Sequence, residues 1–223
     1  MSAIFIVSKT VNYSFKTIVF KGIAGLFFLA LGIVCFCLNA EGHLFFKIFT
    51  ILGLFFGLLG DIFLGFKNAT KSKKLWTLAG LFAFALGHIF YTAGLFVDFY
   101  VAGNLLTFVL SFGSPLALIL IYIFIARKVG IRFDKKILAF IIFYLYCLLS
   151  MLSTSICIGF LHNFSSPTLI MFAVGAACFV VSDMMLSGAY FKEGERPKWY
   201  NATYSVFYYI AQFIIAFSIF FLV

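Results

Sequence analysis

Charge is scarce in this chain: of its 223 residues, 10% are charged and 65% are hydrophobic. A water-soluble domain of that length must cover itself with polar groups, and too few are present to do so. No low-complexity tract or long linker offers a separate soluble part. The five cysteines (Cys35, Cys37, Cys147, Cys157 and Cys178) all fall in apolar runs, with no C-x-x-C pair or Cys/His cluster. That excludes a disulfide framework or zinc knuckle and reads as buried, apolar-like thiols. Histidine occurs three times, with His43 and His162 in surface breaks and His88 inside an apolar run, so three-histidine zinc ligation fails. No G-x-S-x-G elbow supports a serine hydrolase. The last apolar run has no lysine to carry retinal.

What the chain has instead is long apolar runs. A membrane span needs roughly 20 apolar residues, and windows of that kind fall at about 17–38, 44–66, 75–97, 105–126, 137–158, 167–190 and 200–222. The fold class is therefore all-α, a polytopic transmembrane bundle of seven spans forming one integral-membrane domain over residues 1–223. Lys9 and Lys16 break up the N-terminus, so it is not a cleavable signal peptide. Fifteen of the 16 basic residues fall in the N-terminal segment or in the second, fourth and sixth connections, and only Lys47 lies toward the other side. Glu41 and Asp98 sit in outer loops. By the positive-inside rule the N-terminus is cytoplasmic and Val223 is outside. A basic rim of this kind suits anionic lipid headgroups and accounts for the net charge of +9 without nucleic acid. A reporter fused after Val223 is expected to signal an extracytoplasmic end. A cytoplasmic signal would invert the topology and, with it, the side to which interior polar groups open.

Only two of the seven acidic residues interrupt apolar runs: Asp61 in "GLLGDIFLGF" and Asp183 in "CFVVSDMMLSG". Intramembrane carboxylates are costly and usually functional, although one can simply bond a neighbouring helix. Gly53, Gly57, Asp61 and Leu64 recur at helical spacing, and small residues allow close helix approach, so this face points inward. Gly80, Gly87, Tyr91 and Gly94 make a similar stripe on the third helix, with His88 beside it. Ala176, Asp183 and Ser187 align on the sixth helix, next to Ser182. Ser205, Tyr208, Tyr209, Gln212 and Ala216 form a polar stripe on the last. From the helical rise, Asp61 and Asp183 both lie ~8–10 Å inside the cytoplasmic end, while His88, Tyr91 and Gln212 lie deeper. The expected result is a polar pocket opening toward the cytoplasm. Packing remains an equal or better reading for His88, Tyr208, Tyr209 and Gln212. Ser182 and the Ser114–Pro115 pair read most simply as a local hydroxyl bond and a kink.

The segments "KGIAGLFFLAL", "GLLGDIFL", "GHIFY", "SDMMLS" and "YYIAQFIIA" occur in this order from Lys21 onward. Together they resemble the lysoplasmalogenase (YhhN-like) family of multi-span membrane proteins. The resemblance implies hydrolysis of the vinyl-ether bond of a lysophospholipid substrate, giving a fatty aldehyde and a glycerophospho-base without metal or organic cofactor. It also implies eight spans, of which the first is missing or reduced here. The residues suit the chemistry. Protonation of the vinyl ether and attack by water need one carboxyl as acid and one carboxylate as stabiliser and base, the division of labour found in glycosidases. Asp61 and Asp183 are the candidates. His88, Tyr91, Ser182, Tyr208, Tyr209 and Gln212 would orient water or the ether, and Lys21 would meet the lipid phosphate as a point charge. The rival reading is a proton-coupled transporter using the same carboxylates, although no internal repeat supports it.

Overall fold

The computed structural model describes residues 2–39, 42–69, 72–131, 133, 137–191 and 197–222, with residues 2–17, 68–69 and 198 as backbone only. Among these residues there are seven α-helices: α1 (Ser2–Leu38), α2 (Leu44–Ala69), α3 (Lys73–Phe99), α4 (Leu105–Lys128), α5 (Leu138–Leu161), α6 (Pro167–Phe191) and α7 (Lys198–Ser218). A 3₁₀ turn, Ile219–Phe221, follows α7. All seven helices are long and apolar enough to cross a membrane, and the chain is an integral multi-pass membrane protein.

Most helices overrun the apolar windows by a few residues. In an apolar medium the backbone has no water to bond, so helical bonding continues until the chain reaches polar surroundings. The largest difference is in α1, which begins well before its apolar part, Ile18–Leu38. Local signals set several starts. Asn104 accepts a hydrogen bond from the Thr107 amide at 2.9 Å and so caps α4. Pro167 opens α6 and Pro197 directly precedes α7, where a missing N–H costs nothing. Helix α4 runs through Pro115 without ending, and the Ser114 hydroxyl bonds the Leu110 carbonyl one turn back at 2.7 Å.

Six helices close a ring, with α1 against α2, α2 against α3, α3 against α5, α5 against α6, α6 against α7 and α7 back against α1. Helix α4 stands outside and packs chiefly on α5. Its outward residues are large and apolar, with Leu105 and Leu120 each 70% exposed. On a soluble protein such a surface would aggregate; here it is the face that meets lipid. Because α4 is an excursion, α3 and α5 are neighbours that run in the same direction.

Glycine lets α2 and α3 approach most closely. A Cβ at Gly87 would come 3.1 Å from the Gly53 carbonyl, and one at Gly94 would come 3.3 Å from the Phe46 backbone, so any side chain there would crowd the neighbouring helix. The core inside the ring includes Phe28, Leu54, Leu95, Leu148, Met151, Phe172 and Phe179.

At the end away from the basic connections, polar contacts close the ring. Asn39 Nδ2 donates to the Leu222 carbonyl at 2.5 Å and to the Phe220 carbonyl at 3.2 Å, tying α1 to the chain's last turn. Lys47, buried, donates to the Asn39 carbonyl. Asp98 is in the last turn of α3, not in a loop as expected, because its Oδ2 accepts from the Phe46 amide at 2.7 Å. That amide is one of the unpaired donors at the start of α2, where a negative charge is favoured. His43 stacks on Phe99 at 4.4 Å, and His162 Nε2 lies 2.8 Å from the Phe99 carbonyl. Cys37 faces outward, unlike the buried Cys35 and Cys147, because it falls on the lipid side of α1. Glu41, Asp134, Glu193 and Glu195 lie outside the described residues, as do Lys71, Arg132, Lys135, Lys136, Lys192 and Arg196.

Candidate active site

The basic end holds a cavity of about 380 Å³, reached by all seven helices. Small-molecule sites commonly have this size, with apolar walls and a few polar groups. Here Leu64, Leu81, Phe84 and Phe179 supply apolar wall, and Asp61 and Asp183 both face in. Lys21, Ser182, Tyr208 and Tyr209 line it as well. The expected set therefore divides. His88, Tyr91 and Gln212 contribute nothing to the lining. They stand behind it in two polar chains that start at the two aspartates.

The first chain starts at Asp61, which is buried on the glycine face of α2. Lys21, from the start of the apolar part of α1, approaches Asp61 Oδ1 at 3.7 Å. The Tyr208 hydroxyl is also a neighbour of this carboxylate. It lies 3.5 Å from the Gly57 carbonyl and accepts from Gln212 Nε2 at 3.2 Å. Gln212 Oε1 accepts in turn from the Tyr91 hydroxyl at 2.8 Å. The glycines make this chain possible. A Cβ at Gly53 would fall on the Tyr91 ring, and one at Gly57 would fall on the Gln212 amide. The small residues on α2 thus make room for polar side chains from α3 and α7 as well as for close helix contact.

The second chain joins three helices. Asp183, on α6, accepts a hydrogen bond at Oδ2 from the hydroxyl of Tyr144, on α5. The same hydroxyl lies 3.4 Å from His88 Nε2, on α3. A tyrosine has one hydroxyl proton. With that proton given to Asp183, only an N–H at His88 Nε2 can bond across this contact. His88 Nδ1 is a buried nitrogen without a hydrogen-bond partner among the described residues. An aromatic spacer separates the chains: the Phe179 ring is edge-on to His88 at 4.7 Å and to Tyr208 at 5.3 Å.

Several neighbours were not foreseen. Tyr144 carries the contact to Asp183, yet in "FIIFYLYCLLS" it looks like any of the chain's 11 tyrosines. Ser182 bonds the Tyr204 carbonyl of α7 at 2.8 Å rather than its own helix, so it staples α6 to α7 instead of bending α6. Tyr122 reaches in from α4 and bonds Ser187 at 2.5 Å. Lys67, Lys73 and Lys74 also line the cavity.

The other Asp61 oxygen, Oδ2, is buried and has no partner among the described residues. An unsatisfied buried acceptor typically costs ~1–3 kcal/mol. No group of three or more His, Cys, Asp or Glu able to hold a metal occurs among the described residues.

Two carboxylates from separate helices thus share one apolar-walled cavity, each with its own partner and its own polar chain behind it. No curated protein and no solved structure matches the sequence significantly. The sequence profile of the YhhN family matches residues 16–219, which takes in the apolar part of every helix and every residue of the cavity. The chain belongs to the YhhN family, which includes lysoplasmalogenase.

Proposed function

We propose that the protein is a membrane-embedded hydrolase that cleaves the vinyl-ether bond of lysoplasmalogens. One observation carries the reading: Asp61 and Asp183 face the same cavity but have unlike partners, an ammonium group for one and a phenol for the other. Ether cleavage needs two carboxyl groups in unlike states. The Lys21 ammonium suits Asp61 to the role of standing carboxylate. Asp183 then carries the transferable proton. Its Oδ2 accepts from Tyr144, leaving Oδ1 for that proton.

The reaction would run as follows. The carboxyl proton passes to the outer carbon of the vinyl ether, leaving an oxocarbenium ion and an Asp183 carboxylate. Asp61 stabilises the cation and orients a water, which adds to the carbon bearing the oxygen. The proton lost by that water returns to a carboxylate. The hemiacetal then collapses to a fatty aldehyde and the glycerol hydroxyl of a glycerophospho-base. No oxidant or cofactor enters the balance. Preorganised charges in a dry cavity act more strongly on such an ion than they would in water. With the N-terminus cytoplasmic, the cavity opens to the cytoplasmic leaflet.

The test is direct. Purified protein in detergent is given a lysoplasmalogen and, separately, the ester lysolipid with the same headgroup. Aldehyde released from the first and no fatty acid from the second is the expected result. Release from neither would turn the reading toward the proton-coupled transporter.

A further inference from the structure

Lys21, Lys67, Lys73 and Lys74 all line the cavity, and the hydrolytic scheme uses only the first. Lys21 approaches Asp61 at 3.7 Å, so its charge is shared with that carboxylate. The other three come from the end of α2 and the start of α3. Among the described residues none of the three pairs with a carboxylate. Lys67, half-buried, lies with Nζ 3.5 Å from the centroid of the Tyr190 ring, which holds it on the cavity wall. Lys73 and Lys74 are exposed at the mouth. Lys67 also feels the charges of both Lys73 and Lys21, so like charges are gathered here against their mutual repulsion. Such an arrangement is relieved by an anion. Just inside the lysines the wall turns apolar, so the anion best suited to the whole cavity is the head of an amphiphile.

We propose that Lys67, Lys73 and Lys74 form a phosphate site at the cavity mouth, which seats the headgroup phosphate of a single-chain lipid. The lipid's chain lies along the apolar wall, and its glycerol portion comes past the aspartates. This site deepens the hydrolase reading and rests on it for the identity of the lipid, but it makes a separate claim about binding. The phosphate is what the protein grips, and the rest of the headgroup stays in solvent. Lysine suits the task because its ammonium is a compact charge with three donors on a flexible stem.

The experiment measures binding without turnover. The probes are a saturated 1-O-alkyl lysophosphatidylcholine, which has no vinyl ether to cleave, the matching 1-O-alkylglycerol, which lacks the phosphate, and inorganic phosphate. Wild-type protein in neutral detergent is expected to bind the phosphate-bearing lipid at least about tenfold more tightly than the alkylglycerol, a difference one charge-assisted contact can supply. Lys67→Gln and the pair Lys73→Gln/Lys74→Gln should each remove much of that difference, leaving alkylglycerol binding unchanged. Lys67→Arg, which keeps the charge, should retain most of it. Added salt should weaken only the phosphate-bearing lipid. Equal wild-type affinity for the two lipids overturns the proposal. So does an unchanged phospholipid affinity in the glutamine variants, or an equal loss for both lipids, which would mark a structural role. Inorganic phosphate binding as tightly as the phospholipid would assign the site to the free ion and also overturn it. If the binding pattern holds while no aldehyde is released from lysoplasmalogen, the hydrolase reading fails and the phosphate site stands.

Discussion

Replacing Asp61 or Asp183 with asparagine is expected to lower aldehyde release by about 10²–10⁴-fold, the usual contribution of a general acid–base group. Asparagine keeps the size and much of the hydrogen bonding of aspartate but has neither a transferable proton nor a charge. Asp183→Asn can still accept from the Tyr144 hydroxyl, so the second chain should survive while the proton source is lost. Asp61→Asn leaves Lys21 without its counterion, but Lys21 is partly exposed and can turn toward the cavity mouth. Both proteins should therefore insert and remain folded, because neutralising a buried carboxyl also lowers its desolvation cost. Residues that act as a unit are strongly non-additive, so the double variant should be little worse than the poorer single one. Tyr144→Phe, which removes the phenol but not the carboxyl, should fall between the wild type and Asp183→Asn. Wild-type turnover in a folded Asp61→Asn or Asp183→Asn protein would reduce that aspartate to a helix-to-helix contact.

A second large effect is expected at a residue with no side chain. Gly53→Val would put its side chain where the Tyr91 ring lies. The ring cannot simply turn aside, since its hydroxyl is bonded to Gln212 and it packs edge-on against Phe172 at 5.8 Å. Overpacking of this kind typically costs ~1–3 kcal/mol. Displacing Tyr91 would also strand the Gln212 carbonyl, and an unsatisfied buried acceptor adds ~1–3 kcal/mol. Thermal denaturation in detergent should show a marked loss of stability, with turnover falling as Tyr208 loses its place beside Asp61. Adding Tyr91→Ala should recover part of the loss, because the two positions occupy the same space and are coupled. Full stability in Gly53→Val, or strictly additive effects in the double variant, would mean that the glycine does not make room for Tyr91.

The bundle was legible because a membrane makes apolar length and charge placement nearly sufficient. Each expected window falls on one helix, and only the ends were misjudged: most helices outrun their apolar composition, whereas α7 gives way to a 3₁₀ turn after Ser218. Asp61 and Asp183 were legible for a related reason: a carboxyl in such a run has to have a purpose or a partner. The glycine spacing on α2 identified its inward face, but not that Tyr91 and Gln212 occupy the space it leaves. Tyr144 was not legible, since tyrosine is common in this chain and nothing local separates a hydroxyl aimed at Asp183 from one aimed at lipid. Depth along a helix also could not tell His88, Tyr91 and Gln212, which stand behind the wall, from Tyr208, which forms part of it. The lysines at the end of α2 and the start of α3 were hidden by a second meaning. Their number and placement read as a topology signal, and only the packing of α2, α3 and α6 brings them onto the same cavity as the aspartates.

Every described residue lining the cavity comes from the basic half of the molecule, while at the opposite end Asn39 is bonded to the chain's last turn. A chamber lined, among the described residues, by one half only is sided. An amphiphile whose head must stay in water enters it only from the monolayer on which it opens. Lipid in the other monolayer has to cross the bilayer first, and a charged head makes that crossing slow. In sealed vesicles carrying the protein in a single orientation, consumption of substrate would therefore fall into two stages. The first would empty the facing monolayer at the speed of the chemistry. The second would run at the pace of transbilayer exchange, whatever the catalytic residues do.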